Sequence, residues 1–178
     1  VAAPAVVNQQ KLSKKPADSL GGTPFVTCKA WAIADAKTGK LLWGSNENKP
    51  LDMASTTKIM TAYLVLGLAQ NRPEILKERI TFSRQADETR GSTAGVRTGE
   101  SLSVRELLYG LLLPSGNDAS VALAEHFGGR FATDRSVRKA TPFQRFIIQM
   151  NRRAKQLGMT QTRFANPHGL TAEDHHTT

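Results

Sequence analysis

No apolar run in the chain approaches the roughly 18 residues that a membrane-crossing helix needs. The longest apolar cluster, Leu107 to Leu113, is interrupted by Gly110 and closed by Pro114. Neither an N-terminal methionine nor an apolar signal core is present, and Val1-Ala2-Ala3-Pro4-Ala5 reads equally as a signal-cleavage end or as an arbitrary start. A single cysteine, Cys28, excludes an internal disulfide. It sits in a strand-like run, so a buried, inert thiol is expected. Acidic residues are scarce, 15 against 24 Lys and Arg, for a net charge of +9. Such a balance fits a nucleic-acid binder. The basic residues are scattered among acids, however, and a solvated surface is the better reading. The charge also suits attraction to anionic cell-envelope polymers. No Gly-x-Ser-x-Gly elbow occurs, which argues against an α/β-hydrolase. The four histidines, His126, His168, His175 and His176, do not show a zinc spacing, and exposure near the chain end is expected for the His175-His176 pair.

What is present falls into an ordered series. Residues 1–24, rich in Ala, Pro, Ser, Lys and Gly, read as a flexible leader. From Phe25 to Ile33, β-branched and aromatic residues alternate with small ones, which predicts a strand. Asp35-Ala36-Lys37-Thr38-Gly39 is a turn with Gly39 available for positive φ, and Lys40 to Trp43 returns as the second strand of a hairpin. Trp31, Trp43 and Tyr63 are assigned to packing. A helix is predicted from about Ala54 to Gln70 with Asp52 as its cap, stopped by Pro73. Residues 80–100 read as short strands and loops. Ser103 to Leu113 is a second helix opened by a Ser103/Glu106 capping box. Asp118 to Phe127 is a third, ended by Gly128-Gly129. Thr141 to Leu157 is a fourth, with Phe143, Phe146, Ile147 and Met150 at helical spacing. Hairpin 25–44 and helical lobe 54–170 form one incomplete domain, 25–178. Two strands alone make a poor core.

Ser55-Thr56-Thr57-Lys58 places a hydroxyl and an amine one helical turn apart on one face. A neutral lysine there accepts the serine proton and creates an alkoxide nucleophile. Burial and the partial positive charge of a helix N-terminus both favour the neutral amine. The same first turn leaves backbone N–H groups free for an oxyanion. The spacing alone is weak: Ser136-Val137-Arg138-Lys139 repeats it in a polar stretch, and no function is assigned to that copy. Ser55, by contrast, precedes the apolar run Ile59 to Leu66. Ser115-Gly116-Asn117 supplies the second element. It follows Pro114, where the backbone leaves helical geometry. Its serine hydroxyl is placed to relay a proton, and its asparagine amide offers a donor and an acceptor to a peptide-like substrate. An ordinary helix–turn–helix, with Asn117 or Asp118 as cap, remains the alternative for that turn.

Taken together these segments resemble a family. Ala54 to Ala62 resembles the nucleophile segment of D-alanyl-D-alanine carboxypeptidases, the low-molecular-mass penicillin-binding proteins. Ser103 to Ser120 is similar to that family's second motif with its flanking helices. Asp35 to Leu42 resembles the opening hairpin, and Phe164-Ala165-Asn166-Pro167-His168-Gly169-Leu170 the segment after the helical lobe. The resemblance implies a mixed α/β (α+β) fold of the penicillin-binding transpeptidase and serine β-lactamase kind: an antiparallel sheet flanked by helices, with a helical lobe. It further implies Ser55 as acylated nucleophile, Lys58 as base, Ser115 as proton relay and Asn117 as substrate holder. The substrate would be a peptidoglycan stem peptide ending in D-Ala-D-Ala, with β-lactams as inhibitors, no metal, no cofactor and no nucleic acid. The location would be periplasmic or otherwise extracytoplasmic, secreted or membrane-associated through a further C-terminal part.

One departure stands out. The family's third motif, Lys-Thr-Gly or a variant, follows the helical lobe, whereas the Lys-Thr-Gly here, Lys37-Thr38-Gly39, precedes the nucleophile and reads as a turn. The expected reading is an N-terminal portion that lacks the later strands and is inactive alone. The alternatives are a serine β-lactamase or transpeptidase of the same superfamily, and a non-catalytic module that binds peptidoglycan or penicillin.

Overall fold

The computed structural model describes residues 26–131 and 139–178. The leader expected over 1–24, the start of the first strand at Phe25 and residues 136–138 of the second Ser-x-x-Lys lie outside the described residues. The chain divides at Glu47 into two compact units.

The first unit is the hairpin. Strand β1 (Trp31–Ala34) pairs antiparallel with β2 (Leu41–Ser45), Trp31 opposite Ser45 and Ile33 opposite Trp43. The Asp35 carboxylate accepts from the Lys37 and Thr38 amides and the Thr38 hydroxyl, and these bonds hold it below its usual pKa. Gly39 adopts φ +70°. Lys37-Thr38-Gly39 is thus occupied in closing a turn. Three expectations differ from the structure. The ladder begins at Trp31, opposite the end of β2 at Ser45, and residues 26–30, the described part of the expected strand before it, belong to no strand. Cys28 therefore lies outside the strand and is exposed. Trp43, assigned to packing, is 62% exposed.

The second unit carries the core. Residues Ala54–Thr56 form a 3₁₀ turn that runs into helix α1 (Thr57–Asn71). A second 3₁₀ turn over Pro73–Lys77 leads to strand β3 (Arg79–Thr81), the short helix α2 (Arg84–Asp87) and strand β4 (Ser101–Ser103), which pairs antiparallel with β3. Then come α3 (Val104–Leu112), α4 (Asn117–Phe127) and α5 (Pro142–Gln156). The expected Ser103/Glu106 capping box is formed, and Thr141/Gln144 makes another at α5. Helix α2 escapes sequence reading because a single turn is too short to show a 3.6-residue period. It is held by Ser83, which accepts the Ala86 amide and donates to Glu125.

Asp52 does not cap α1. The chain enters through buried Met53 and the 3₁₀ turn, with no side-chain cap. Ala54 takes φ +45°, a left-handed conformation that a residue with a Cβ adopts only under constraint.

Helix α4 is the central element. Ala119, Ala122 and Ala124 are buried, with Val121, Leu123 and Phe127, and the small residues let neighbouring helices approach closely. Helix α3 contributes Val104, Leu107, Leu108 and Leu111; α5 contributes Phe146, Met150 and Ala154. The helical spacing read from the sequence thus faces inward as expected. Helix α1 is buried on most of its circumference, including Lys58 and Thr61, while Ile59, Tyr63 and Leu66 remain exposed. The Arg153 guanidinium lies 5.0 Å from the Tyr63 ring centroid and donates to its hydroxyl.

Candidate active site

The 3₁₀ turn before α1 presents Ser55 to solvent while Lys58, one turn on, is only 2% exposed. Lys58 Nζ donates to Ser55 Oγ at 3.2 Å and to the His168 carbonyl at 2.8 Å. Burial pushes the ammonium below its ordinary pKa, and the Asp118 carboxylate opposes that shift. The expectation of a lysine eased toward neutrality is met through desolvation.

The segment 162–177 wraps this turn from behind. Thr61, fully buried, donates to the Pro167 carbonyl at 2.7 Å. Asn166 shapes the loop, its Oδ1 accepting the His168 and Gly169 amides and its Nδ2 donating to the Leu170 carbonyl. Gly169, at φ +96°, approaches so closely that a Cβ there would lie 1.8 Å from the Ala54 carbonyl oxygen. That approach lies against the residue with left-handed backbone just before the nucleophile, Ala54 at φ +45°. Further along, backbone bonds join Thr177 to Leu51 and His176 to Arg163.

His175 corrects an expectation. It is 2% exposed, not surface-exposed at the chain end. Its Nδ1 accepts the Ala165 amide at 2.9 Å, which leaves the ring proton on Nε2 to donate to Thr57 Oγ1 at 2.9 Å. Burial lowers its proton affinity. The ring thereby pins Thr57, the residue between the serine turn and Lys58, through a contact spanning more than a hundred residues.

His168 is half-buried, and burial, with the nearby Lys58 and His175, brings its pKa from 6.5 to about 4. The unfolded chain binds a proton there at a pH where the folded chain does not. Stability therefore rises with pH between about 4 and 6.5 and is lost as pH falls through that window. Allowing for partial solvent screening, the effect is about 1–2 kcal/mol. Denaturant unfolding at pH 7 and pH 4.5 should show this loss, and His168→Asn should reduce it. An unchanged slope in the variant would place the source elsewhere.

Ser115 occupies the turn between α3 and α4 at φ +61°. Its Oγ is buried and has no hydrogen-bond partner among the described residues. A strained residue carrying an unpaired buried hydroxyl costs about 1–3 kcal/mol on each count. Asn117 is 4% exposed. Its Nδ2 donates to the Arg90 carbonyl at 2.7 Å and its amide to the Ser92 carbonyl at 2.7 Å, so its side-chain N–H is engaged with the neighbouring loop. Helix α1 packs against α4, and the charge of Asp118, in the first turn of α4, reaches Lys58. No hydrogen bond joins Ser115 to Ser55 or Lys58. Sequence reasoning missed the carbonyls of Pro167 and His168, the His175 link and the buried Asp118. Only the family-like segment Phe164 to Leu170 pointed toward the first of these. Among the described residues no group of three or more His, Cys, Asp or Glu side chains is arranged to hold a metal ion.

Comparison with known proteins gives concordant findings. The family model described as D-alanyl-D-alanine carboxypeptidase, of the Peptidase_S11 group, matches residues 18–178. The D-alanyl-D-alanine carboxypeptidase DacF of Bacillus subtilis is 36% identical over 148 residues, covering 83% of this chain and 35% of that protein. The crystal structure of the D-alanyl-D-alanine carboxypeptidase DacD from Francisella tularensis superposes with a TM-score of 0.78 at 35% identity, covering 93% of this chain and 37% of that one. Penicillin binding protein 5 from Haemophilus influenzae gives 0.74 at 28% identity, covering 88% of this chain and 43% of that one. The chain thus spans about a third of the length of DacF and of DacD.

Proposed function

Because the chain belongs to the D-alanyl-D-alanine carboxypeptidase family of serine peptidases, we propose that it carries the nucleophile and base of a penicillin-sensitive D,D-peptidase, an extracytoplasmic enzyme of peptidoglycan metabolism. The observation that carries the reading is the 3.2 Å approach of Lys58 Nζ to Ser55 Oγ, with the amine buried and its proton affinity lowered by burial.

In the neutral state the Lys58 lone pair takes the Ser55 proton as Oγ attacks the carbonyl of the penultimate D-alanine of a stem peptide. The new bond is Oγ–C, and the oxyanion that forms is stabilised by the Ser55 amide at the mouth of the helical turn. Collapse breaks the C–N bond, and the terminal D-alanine leaves as an amine once a proton returns to it. Ser115 relays that proton, a role that fits a buried hydroxyl with no partner of its own. Water then cleaves the acyl-serine ester. Asn117 supports the substrate amide through its side-chain amide, one N–H of which already donates to the Arg90 carbonyl. A β-lactam acylates the same oxygen by opening its ring.

Exposure to penicillin followed by peptide mass spectrometry tests the proposal. The expected result is one adduct, on Ser55, absent from Ser55→Ala and formed far more slowly than on a full-length relative, because no Lys-Thr-Gly follows Ser115 in this sequence. No adduct would favour a non-catalytic module that binds peptidoglycan. If the adduct forms, the ratio of penicillin turnover to D-alanine release separates a carboxypeptidase from a β-lactamase.

A further inference from the structure

The positive charge of the chain has a location. Residues 128–163 hold nine Lys and Arg against one acid, Asp134, a net +8 out of the +9 of the whole chain. The scatter read along the full sequence therefore gives way to concentration in this stretch. Helix α5 carries four of these cations, Arg145, Arg152, Arg153 and Lys155, and no acid. Arg153 turns to Tyr63. Arg152 and Lys155, three residues apart, share a different face. They line a groove of about 1000 Å³ together with Arg163, from the segment that follows the helix. The groove is preformed. Asn151 Nδ2 donates to the Ile147 carbonyl at 3.0 Å and to the Phe164 carbonyl at 2.8 Å, and its Oδ1 accepts the Phe164 amide at 2.9 Å. One side chain of α5 thus ties the helix to the segment facing it, and backbone bonds between Arg163 and His176 brace that segment. Glu173 and Asp174 also line the groove. Asp174 lies 3.5 Å from Arg163, but both side chains are more than half exposed, and such a pair contributes little and yields readily to another anion.

We propose that this groove binds an extended phosphodiester polyanion of the cell envelope, through Arg152, Lys155 and Arg163. Its lining includes none of Ser55, Lys58, Ser115 and Asn117, so the surface is separate from the candidate active site. Two guanidinium forks and an ammonium match the oxygens of successive phosphates. Thr160 and Gln161, which also line the groove, offer hydrogen bonds to the hydroxyls of a polyol backbone. A single-stranded nucleic acid fits less well, because it needs exposed aromatic faces on which its bases stack. The one phenylalanine of the lining, Phe164, is 4% exposed, and the lining holds no tyrosine or tryptophan. A cleft with an excess of one charge concentrates ions of the other sign. Anchorage on such a polymer would hold the nucleophile at a raised local concentration of wall peptides. Placing the polymer in the envelope rests on the extracytoplasmic reading above; the binding itself does not depend on Ser55 or Lys58.

Fluorescence anisotropy of a labelled poly(glycerol phosphate) oligomer, titrated with the 178-residue chain, tests the proposal. Three phosphate contacts, at the slope shown by flexible single-stranded polyanions, should lower the affinity about 20-fold between about 50 and 200 mM salt. The triple variant Arg152→Gln, Lys155→Gln, Arg163→Gln should weaken binding about tenfold or more at the lower salt. A matched triple, Arg72→Gln, Lys77→Gln, Arg105→Gln, removes the same charge from exposed positions that do not line the groove, and should change the affinity by less than about twofold. Asp174→Asn, which takes a carboxylate out of the groove, should tighten binding about two- to threefold. Equal losses in the two triple variants would reduce the effect to net charge and overturn the proposal. A wild-type chain that binds no polymer overturns it as well, and so does tighter binding of oligo(dT), which would make the groove a nucleic-acid site. If a thermal melt shows the groove triple to be unfolded, Lys155→Glu alone, at an exposed position, decides: a several-fold loss supports the proposal and an unchanged affinity ends it. The assay needs no acylation, so a missing penicillin adduct on Ser55 sinks the catalytic reading and leaves the groove standing, and the reverse holds equally.

Discussion

Replacing Lys58 with methionine should lower the rate of Ser55 acylation by about 10²- to 10⁴-fold, the usual contribution of a positioned general base, while leaving the fold intact or more stable. The two effects diverge for a physical reason. Lys58 is 2% exposed, and desolvation is the main cause of its lowered proton affinity. Below that lowered pKa the folded chain holds an ammonium it has poorly solvated. Stability therefore increases with pH between the folded pKa and the unfolded value of 10.5, and at neutral pH the charge is a cost. Methionine fills a similar volume without charge. It forfeits the bonds to Ser55 Oγ and the His168 carbonyl, each worth about 1 kcal/mol. Asp118 does not lose a bonded partner, because its four hydrogen bonds come from elsewhere. Fluorescent-penicillin labelling measured beside a thermal melt decides the matter. A variant that labels at the wild-type rate would show that another group takes the proton. A collapse of the melting temperature would show that the amine is structural.

The second large effect is expected far from Ser55 in sequence. Gly169→Ala places a methyl carbon 1.8 Å from the Ala54 carbonyl oxygen, 2.3 Å from its carbon and 3.0 Å from the Ser55 nitrogen, at a backbone φ of +96°. All three neighbours are backbone atoms, so no flexible side chain can swing aside. Left-handed strain of about 1–2 kcal/mol and overpacking of about 1–3 kcal/mol combine to a loss of about 3 kcal/mol, or roughly 6–12 °C in a chain of this size. Relaxation must push the turn at Ala54 outward, which moves the nucleophile away from Lys58. Acylation should then fall by about 10²-fold, the penalty of a misplacement near 1 Å. A variant with normal melting and normal labelling would mean that the loop over residues 166–170 does not position Ser55.

How far the sequence reaches is clear at individual residues. The Ser103/Glu106 cap, the hairpin turn at Gly39 and the inward face of α5 at Phe146 and Met150 were legible because each depends on neighbours within a few positions. The same holds for Ser55 and Lys58, whose shared face follows from one helical turn. Cys28 is exposed despite its strand-like surroundings because an alternating pattern does not say whether a partner strand runs beside it. Asp52 is a reasonable cap on local grounds, but the chain enters α1 through a 3₁₀ turn with no side-chain cap, against the distant loop at Gly169. His175 shows the same limit: beside His176 near the end of the chain it reads as solvated, and its burial depends on Thr57 and Ala165, which the fold brings to it.

The amino-acid order alone determined the helical register that puts a hydroxyl and an amine on one face, the turn after Pro114 that carries Ser115, and the family to which these segments point. Tertiary structure decided the proton chemistry. The desolvation of Lys58, the carbonyl of His168 as its acceptor, the neutral ring of His175 behind Thr57 and the charge of Asp118 all come from residues distant along the chain. Local geometry follows from bond rotations within one turn, whereas proton affinity depends on burial and fields that exist only once distant segments have packed together.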